Sequence, residues 1–162
     1  MGKLYIRVDD RLIHGQTIVA WCPTLSIKEI IGVDDFTAKN PMLKTIVTMS
    51  VPKSYDIDVV TLDKAKQLVS QDSENNRLLI VKFPHHVYQL KEHIKECEMI
   101  ILGNMAKRED TVHQLSGATG IFYLSEQDVE ELSELANEGF NVIFQQLPNT
   151  NAVQWESFRK SI

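Results

Sequence analysis

A short segment near the start of the chain gathers side chains that could transfer a charged group. Within eight residues it holds two carboxylates, a guanidinium, an imidazole, a glycine and an amide: Asp9, Asp10, Arg11, His14, Gly15 and Gln16. An imidazole has an unperturbed pKa of about 6.5, so near neutral pH it is a nucleophile that can also leave again from an adduct. A guanidinium three residues before it offers a fixed, two-pronged contact for phosphate oxygens. These residue types and this spacing indicate a phosphoryl group carried on His14 beside Arg11.

The segments on either side place these groups at one edge of a sheet. Residues 4–8 are strand-like, and residues 17–22 read as the opening of a helix. In open α/β sheets ligands bind beyond the carboxyl ends of the strands, where a helix N-terminus presents unpaired N–H groups and the positive end of its dipole. We therefore expect the loop amides to bind phosphate together with the guanidinium, and the glycine to let the backbone approach. The expected phosphate-binding residues are Arg11, Gly15, Gln16 and Thr17.

The remaining residues of the loop are expected to position these groups. Asp10, with Asp9 as the alternative, would orient Arg11 or the histidine ring, so the expected catalytic residues are His14, Arg11 and Asp10. Leu12 and Ile13 are apolar residues in a charged loop. Either they anchor the loop to the core or they form part of a docking surface for a partner, and the sequence leaves both readings open.

Strand-like and helix-like segments alternate along the whole chain with short links. This pattern predicts an α/β fold: a single-domain, doubly wound, mostly parallel sheet of about seven strands with helices on both faces. Pro23 should end or bend the first helix early, and residues 104–120, which lack a clear period, could be a long functional loop. The predicted strands are residues 4–8, 29–33, 57–61, 77–83, 99–103, 121–124 and 141–145. Helices are expected to begin near Thr17, Asn40–Pro41, Asp63, Pro84 and Ser125, with a short one in the tail from Asn151.

Composition and charge exclude several classes of function. The net charge of −5, without a basic cluster, argues against a nucleic-acid surface. No apolar run approaches the roughly 20 residues that a membrane helix requires, and the N-terminus lacks the core of a signal peptide. Cys22 and Cys97 lie in apolar helical patterns, which favours free buried thiols in a cytoplasmic protein.

With these motifs in place, the chain resembles the IIB subunit of the mannose/fructose/sorbose family of the bacterial sugar phosphotransferase system. The resemblance covers essentially the whole chain and is most specific in the first motif. It rests on residues 7–16, Trp21, Asp34–Asp35, Ala38, residues 49–52 and residues 147–149. Pro23 and the turn at residues 102–105 depart from the family pattern without touching the loop histidine.

The resemblance implies a function and a set of partners. Residues 1–162 would form one IIB domain whose His14 takes a phosphoryl group, at Nδ1, from a phosphohistidine of a IIA protein. Arg11 would correspond to the phosphate-binding arginine of the family. The group would pass to a sugar that enters through, and is held by, the membrane IIC and IID components. The resemblance implies a cytoplasmic protein peripherally associated with that transporter, with no metal, cofactor or nucleic acid, and leaves homo-oligomerisation open.

Three other classes of protein fit the sequence less well. A receiver domain also has an acidic pair after its first strand, but it needs an aspartate after the third strand and a lysine after the fifth. This chain has Val59-Val60-Thr61 and Leu102-Gly103-Asn104 at those places, so both required residues are missing. A flavin- or nucleotide-binding module is disfavoured because no glycine-rich dinucleotide or Walker pattern is present. A pure interaction module is disfavoured by the density of reactive side chains in one loop. His85 and His86 do not suggest a metal site, since adjacent helical positions point about 100° apart.

Overall fold

Seven strands form one sheet, and the strand that precedes the reactive loop lies at its centre. The structure is a computed structural model that describes residues 1–162. Its strands are β1 (Leu4–Asp9), β2 (Ile27–Val33), β3 (Asp56–Val60), β4 (Asn76–Val81), β5 (Met99–Asn104), β6 (Thr111–Gln114), β7 (Tyr123–Ser125), β8 (Val142–Phe144) and β9 (Val153–Gln154). Its α-helices are α1 (Gly15–Leu25), α2 (Asp35–Ala38), α3 (Pro41–Thr48), α4 (Leu62–Val69), α5 (Pro84–Leu90), α6 (Glu126–Asn137) and α7 (Trp155–Ser161).

The main sheet has the strand order β3-β2-β4-β1-β5-β8-β9 and is parallel except at its last edge strand. Alternate residues of β1 face opposite layers of helices. Ile6 and Val8 lie in the large core formed with α4 to α7, whereas α1 and α3 pack on the other face of the sheet. The predicted doubly wound, mostly parallel sheet with helices on both faces is confirmed. Its carboxyl edge carries the loop from β1 to α1.

One predicted strand is not part of this sheet. The strand expected at residues 121–124 is β7, which pairs antiparallel with β6 in a separate two-stranded sheet. The link after β5 contains no crossover helix, and the chain folds into a short antiparallel pair, with a single parallel bridge between Met105 and Phe122. The seventh strand of the main sheet is β9, which the sequence did not reveal.

Two helices differ from the sequence prediction. Helix α1 continues through Pro23 to Leu25, because an exposed proline in the last turn removes only one hydrogen bond before the chain turns at Ser26, whose φ is +54°. The sequence of α3 has apolar residues at helical spacing, Met42, Leu43, Ile46 and Val47, which predicts a face packed on the core, but this face is buried only in part. Met42 and Ile46 are 75 % and 57 % exposed, and no residue of α3 is fully buried.

Several helix ends follow the chemistry of their sequence. The side chain of Asn40 accepts a hydrogen bond from the N–H of Leu43, with proline at the first helical position, as expected for α3. Ser125 and Asp128 form a complete capping box at α6. Helix α4 begins at Leu62, one residue before the predicted start, because the hydroxyl of Thr61 caps it. The tail helix starts at Trp155 rather than near Asn151.

Both cysteines are free thiols, as predicted. Burial raises the pKa of Cys22 and of Cys97 to about 12, so neither is a reactive thiolate near neutral pH. None of the helices is long and apolar enough to span a membrane.

Candidate functional site

The loop between β1 and α1 is a tight turn fixed by the core. The N–H of Leu12 donates to the carbonyl of Asp9 at 2.9 Å, and Leu12 has a left-handed backbone with φ of +62°. For a residue other than glycine this conformation costs about 1–2 kcal/mol. The side chain of Leu12 is buried beside α1 and β2, which holds the turn in place, and half-buried Ile13 packs against the same cluster. Leu12 is therefore a core anchor, and the charged residues on either side of it are left at the surface.

Asp9 is the buried carboxylate that holds Arg11. Its Oδ1 accepts from the backbone N–H and the Nε of Arg11 at 3.0 and 2.9 Å, and its Oδ2 accepts from Nη2 of Arg11 at 2.9 Å. This two-pronged pair fixes the plane of the guanidinium, whose side chain remains one-third exposed. The hydrogen bonds to Asp9 raise the pKa of Arg11 above its ordinary value. Arg11 is thus a permanent cation at the surface of the loop.

The expectation that Asp10 orients Arg11 is wrong. The Oδ1 of Asp10 accepts from Nδ2 of Asn104, and its Oδ2 accepts from the N–H of Ala106, both at 2.7 Å. Its backbone N–H also donates to the carbonyl of Asn104 at 3.1 Å. Asp10 lies beyond the end of β1. Its side chain therefore contacts the residues at the end of β5 and does not lie on the face of the sheet on which α1 packs. Its role is to join the two loops at the carboxyl edge.

Thr17 connects the guanidinium to the histidine. Its Oγ1 accepts from Nη2 of Arg11 at 3.1 Å and lies 3.4 Å from Nδ1 of His14. Because the hydroxyl already accepts a hydrogen bond from Arg11, its own hydrogen is free for Nδ1. In this arrangement Nδ1 carries the lone pair of the neutral ring and Nε2 carries the proton, an assignment made from the hydrogen-bond network.

His14 is also the N-cap residue of α1, immediately before the first residue of the helix. It has an extended backbone, its carbonyl accepts from the N–H of Ile18 at 3.1 Å, and its side chain makes no capping hydrogen bond. The N–H groups of the first helical turn, Gly15 to Thr17, have no carbonyl of the helix to bind. Together with the helix dipole they favour an anion beside the imidazole. The predicted phosphate-binding residues therefore lie together, with Gln16 exposed at the rim.

Two residues that hold this loop were missed from the sequence. Asp9 was only the alternative carboxylate, and Arg7 was not singled out at all. Side chains alternate along a strand, so residues 7 and 9 share the α1 face of β1, and this period could have selected Asp9 over Asp10. The signal for Arg7 was a charged residue in the middle of an otherwise apolar central strand.

The other histidines take part in local contacts away from the loop. Nδ1 of His85 lies 2.8 Å from Glu131, His93 contacts Ser70, and His113 contacts Glu126. The side chain of Arg108, in the long link after β5, contacts Asp128 and does not reach the loop. No group of three or more histidine, cysteine or carboxylate side chains could hold a metal ion.

Residues 4–161 of the chain match the family described as "PTS system sorbose subfamily IIB component". The chain belongs to this family. The predicted family and fold are both confirmed, and the IIB components of this system are phosphotransferases. The match favours this reading over the receiver-domain and nucleotide-binding alternatives.

Individual relatives of this IIB protein are similar over most of their length. It is 26 % identical to the N-acetylgalactosamine-specific IIB component 1 of Escherichia coli K12, covering 93 % of this chain and 94 % of the relative. It is 27 % identical to the fructose-specific EIIB component of Bacillus subtilis 168, over 92 % and 90 % of the two chains. The crystal structure of the IIB domain of the sorbose permease from Klebsiella pneumoniae has the same fold, with a TM-score of 0.87, 21 % identity and coverage of 100 % and 99 %. The mannose-specific EIIAB component of E. coli K12 is 28 % identical, and this chain covers 42 % of its length.

Proposed function

We propose that Nδ1 of His14 accepts a phosphoryl group from the phosphohistidine of a IIA protein and passes it to a sugar. The observation that carries this proposal is the continuous chain of contacts from buried Asp9 through Arg11 and Thr17 to His14. It presents an imidazole lone pair beside a fixed cation and the free N–H groups of a helix start. His85, His93 and His113 contact Glu131, Ser70 and Glu126 instead.

The geometry supports a simple transfer of the phosphoryl group. The lone pair of Nδ1 attacks phosphorus, the bond from phosphorus to the donor nitrogen breaks, and its electron pair remains on the donor imidazole. Catalysis of such a step consists mostly of positioning and stabilising the charge on the phosphoryl oxygens. Arg11 and the N–H groups of Gly15 to Thr17 supply that stabilisation. The hydroxyl of Thr17 gives up its contact with Nδ1 and donates to a phosphoryl oxygen instead.

The second transfer reverses the roles of these groups. A sugar hydroxyl attacks phosphorus, the electron pair of the bond from Nδ1 to phosphorus returns to the imidazole, and the proton of the hydroxyl passes to solvent. The sugar is held by the membrane IIC and IID components. We propose that residues 1–162 act as one domain on the cytoplasmic side of the membrane, since the acceptor loop must meet both kinds of partner.

A surface for the IIA partner lies next to the loop. The place that a Cβ on Gly15 would occupy is 3.4 Å from the Cβ of Ser50, just after the end of α3. Partners of ordinary size cover about 800 Å² on each side, which is wider than the loop itself. Helix α3 and its C-cap residue have three exposed apolar side chains at helical spacing on one face: Met42, Ile46 and Met49. We propose that this α3 face, rather than the buried Leu12, makes the apolar contact with IIA.

Transfer of labelled phosphate along the complete relay tests the proposed function. Wild-type protein is incubated with phosphorylated IIA, and discharge of its label is followed with and without membranes that contain IIC and IID. We expect label that is stable in base and labile in acid, and discharge only with membranes and sugar. The His14→Ala variant should accept none, whereas alanine variants of the other four histidines, His85, His86, His93 and His113, should be labelled normally. Labelling of His14→Ala would contradict the proposal.

A further inference from the structure

Arg7 is an unusual residue for its position in the fold. It lies in the middle of the central strand β1, between β4 and β5, and none of its surface is exposed. Its guanidinium occupies the space beside Gly103 of β5, where any Cβ would overlap it. Burial of an arginine costs free energy unless the charge is paired and hydrogen-bonded. The neighbouring strand therefore makes room for a side chain that packing alone would not favour.

Arg7 contacts one residue that holds the proposed site, the helix that follows this site and the turn after β8. Nη2 lies 3.5 Å from Oδ2 of Asp9 and donates to the carbonyl of Gln146 at 3.0 Å, and Nη1 donates to the carbonyl of Gln145 at 3.3 Å. The Cζ atom lies 5.6 Å from the ring centroid of Trp21 in α1. Nε1 of Trp21 donates to the same Gln146 carbonyl at 2.9 Å. One guanidinium thus joins β1, α1 and the turn after β8.

The charge of Arg7 changes what Arg11 can offer to phosphate. Burial lowers the pKa of Arg7 to about 10, with Asp9 acting in the opposite direction, so the group is still a cation at neutral pH. An isolated ion pair of Asp9 and Arg11 would have no net charge, and the carboxylate would compete with phosphate for the guanidinium. With Arg7 on the other side of the shared Oδ2, the three groups carry a net positive charge. Arg7 and Asp9 are buried, so screening of their charges by water and salt is weak, whereas Arg11 is one-third exposed.

We propose that Arg7 is a positioning residue for phosphoryl transfer, acting through Asp9 on Arg11 and through Trp21 on the start of α1. This inference rests on the proposed role of His14. Arg7 does not touch the phosphoryl group. It fixes the carboxylate that fixes the phosphate-binding guanidinium, and it offsets the negative charge of that carboxylate.

The test compares two buried arginines of neighbouring strands. Arg77, in β4, is 8 % exposed and its Nη1 donates to the carbonyl of Leu68 at the other end of the sheet. The variants are Arg7→Lys, Arg7→Met and, as the matched control, Arg77→Met, all in the full chain. A lysine keeps the charge but lacks the planar fork with which Arg7 contacts Asp9 and two carbonyls. Trp21→Phe is a milder variant that keeps an aromatic ring beside Arg7 but removes the hydrogen bond to Gln146.

Single-turnover transfer from phosphorylated IIA and the phosphorus NMR shift of the phosphoprotein are measured for each variant. We expect Arg7→Lys to lower the rate at saturating IIA by about 10- to 100-fold, the usual effect of residues that orient catalytic groups. The KM for IIA should be nearly unchanged, the phosphohistidine resonance should move, and Trp21→Phe should show a smaller loss. Arg77→Met should be less stable but transfer at the wild-type rate with an unmoved resonance.

The outcomes separate this inference from the proposed function. A wild-type rate and resonance in Arg7→Lys and Trp21→Phe would overturn the role of Arg7 while leaving His14 as the acceptor. Equal rate losses in Arg7→Lys and Arg77→Met would also overturn it, because they would reflect stability alone. If wild-type protein carried the label on a residue other than His14, the proposed function itself would fail. If Arg7→Met does not fold, Arg7→Lys and Trp21→Phe decide the question.

Discussion

The amino edge of the sheet, where the parallel strands begin, and the carboxyl edge, where they end, differ in how their charged residues are arranged. The amino edge has a groove of about 680 Å³ lined by residues such as Lys3, Arg77 and His93. Some of its charged and polar groups are paired with close neighbours, as in the contact of His93 with Ser70 and the ion pair of Lys95 with Glu92. The carboxyl edge instead presents a loop with a fixed cation and unpaired N–H groups.

This contrast indicates what a carrier of phosphoryl groups requires. A group that is handed from one protein to another must be presented at the surface, because a deep cavity would keep the donor and the acceptor apart. The groove at the amino edge is therefore a poor guide to the position of the site. The informative feature is a cluster of cationic groups held in one orientation by a buried carboxylate.

The largest effect at the carboxyl edge is expected for Arg11→Ala. Loss of a preorganised charge partner typically lowers a rate by about 100- to 1,000-fold. The melting temperature should change little, because the side chain is partly exposed in a loop. Arg11→Lys should recover only part of the rate, since a point charge cannot make the two-pronged contact. Single-turnover transfer from IIA measures this, and full activity of Arg11→Ala would show that other groups hold the phosphate.

Asp9→Asn should have the next largest effect. The change removes the charge between two guanidiniums and leaves the buried one without its partner, which costs on the order of 3 kcal/mol of unfolding free energy. The transfer rate should fall by about 10- to 100-fold. Asp10→Asn is the matched control and should transfer at nearly the wild-type rate. Urea melts and transfer rates of both variants check this, and a larger rate loss in Asp10→Asn would reverse the assignment of the two carboxylates.

A smaller effect is expected for the proposed docking face on α3. Ile46→Ser should raise the KM for IIA by about 5-fold, the size of a typical interface contact of 1 kcal/mol, without changing the rate at saturation. Ile162→Ser, an exposed isoleucine beyond α7 on the opposite face of the sheet, is the control. Titration of IIA with each variant measures the KM. Equal values for Ile46→Ser and wild type would remove α3 from the interface.

The smallest effect is expected for a variant at the amino edge. His93→Ala removes a partly exposed contact with Ser70, so the free energy of unfolding should change by no more than about 0.5 kcal/mol. Transfer to and from the protein should be unchanged. The same melts and transfer assays detect a departure, and a clear loss of transfer would show that the two edges are coupled.

The sequence was informative where chemistry and period are local. The loop residues and the caps at Asn40 and Ser125 could be predicted because each depends on neighbours in the chain, whereas α1 begins at Gly15, two residues before the expected start near Thr17. The two-residue period of β1 favours Asp9 over Asp10, because it places Asp9 on the same face as Arg7. The contacts of Asp10 with Asn104 and Ala106 could not be predicted, because they depend on the end of β5, a strand distant in sequence.

Other features depended on what covers a surface. The stripe on α3 has a helical period, which predicts one apolar face but not whether another element packs against it. Likewise β9 is only two residues long and gains its meaning from pairing with β8. The role of Arg7 required knowing that Gly103 and the Gln146 carbonyl lie beside it, across two strand pairings.

The most direct test of the account is to locate the phosphoryl group on the intact protein. Wild-type chain is phosphorylated by IIA, and phosphorus NMR together with nitrogen-correlated spectra of the histidine rings identifies the residue and the ring nitrogen. The account predicts a single phosphohistidine, at His14, with the phosphoryl group on Nδ1. A phosphoryl group on Nε2 would contradict the geometry through Thr17, and one on any other residue would contradict the proposed function.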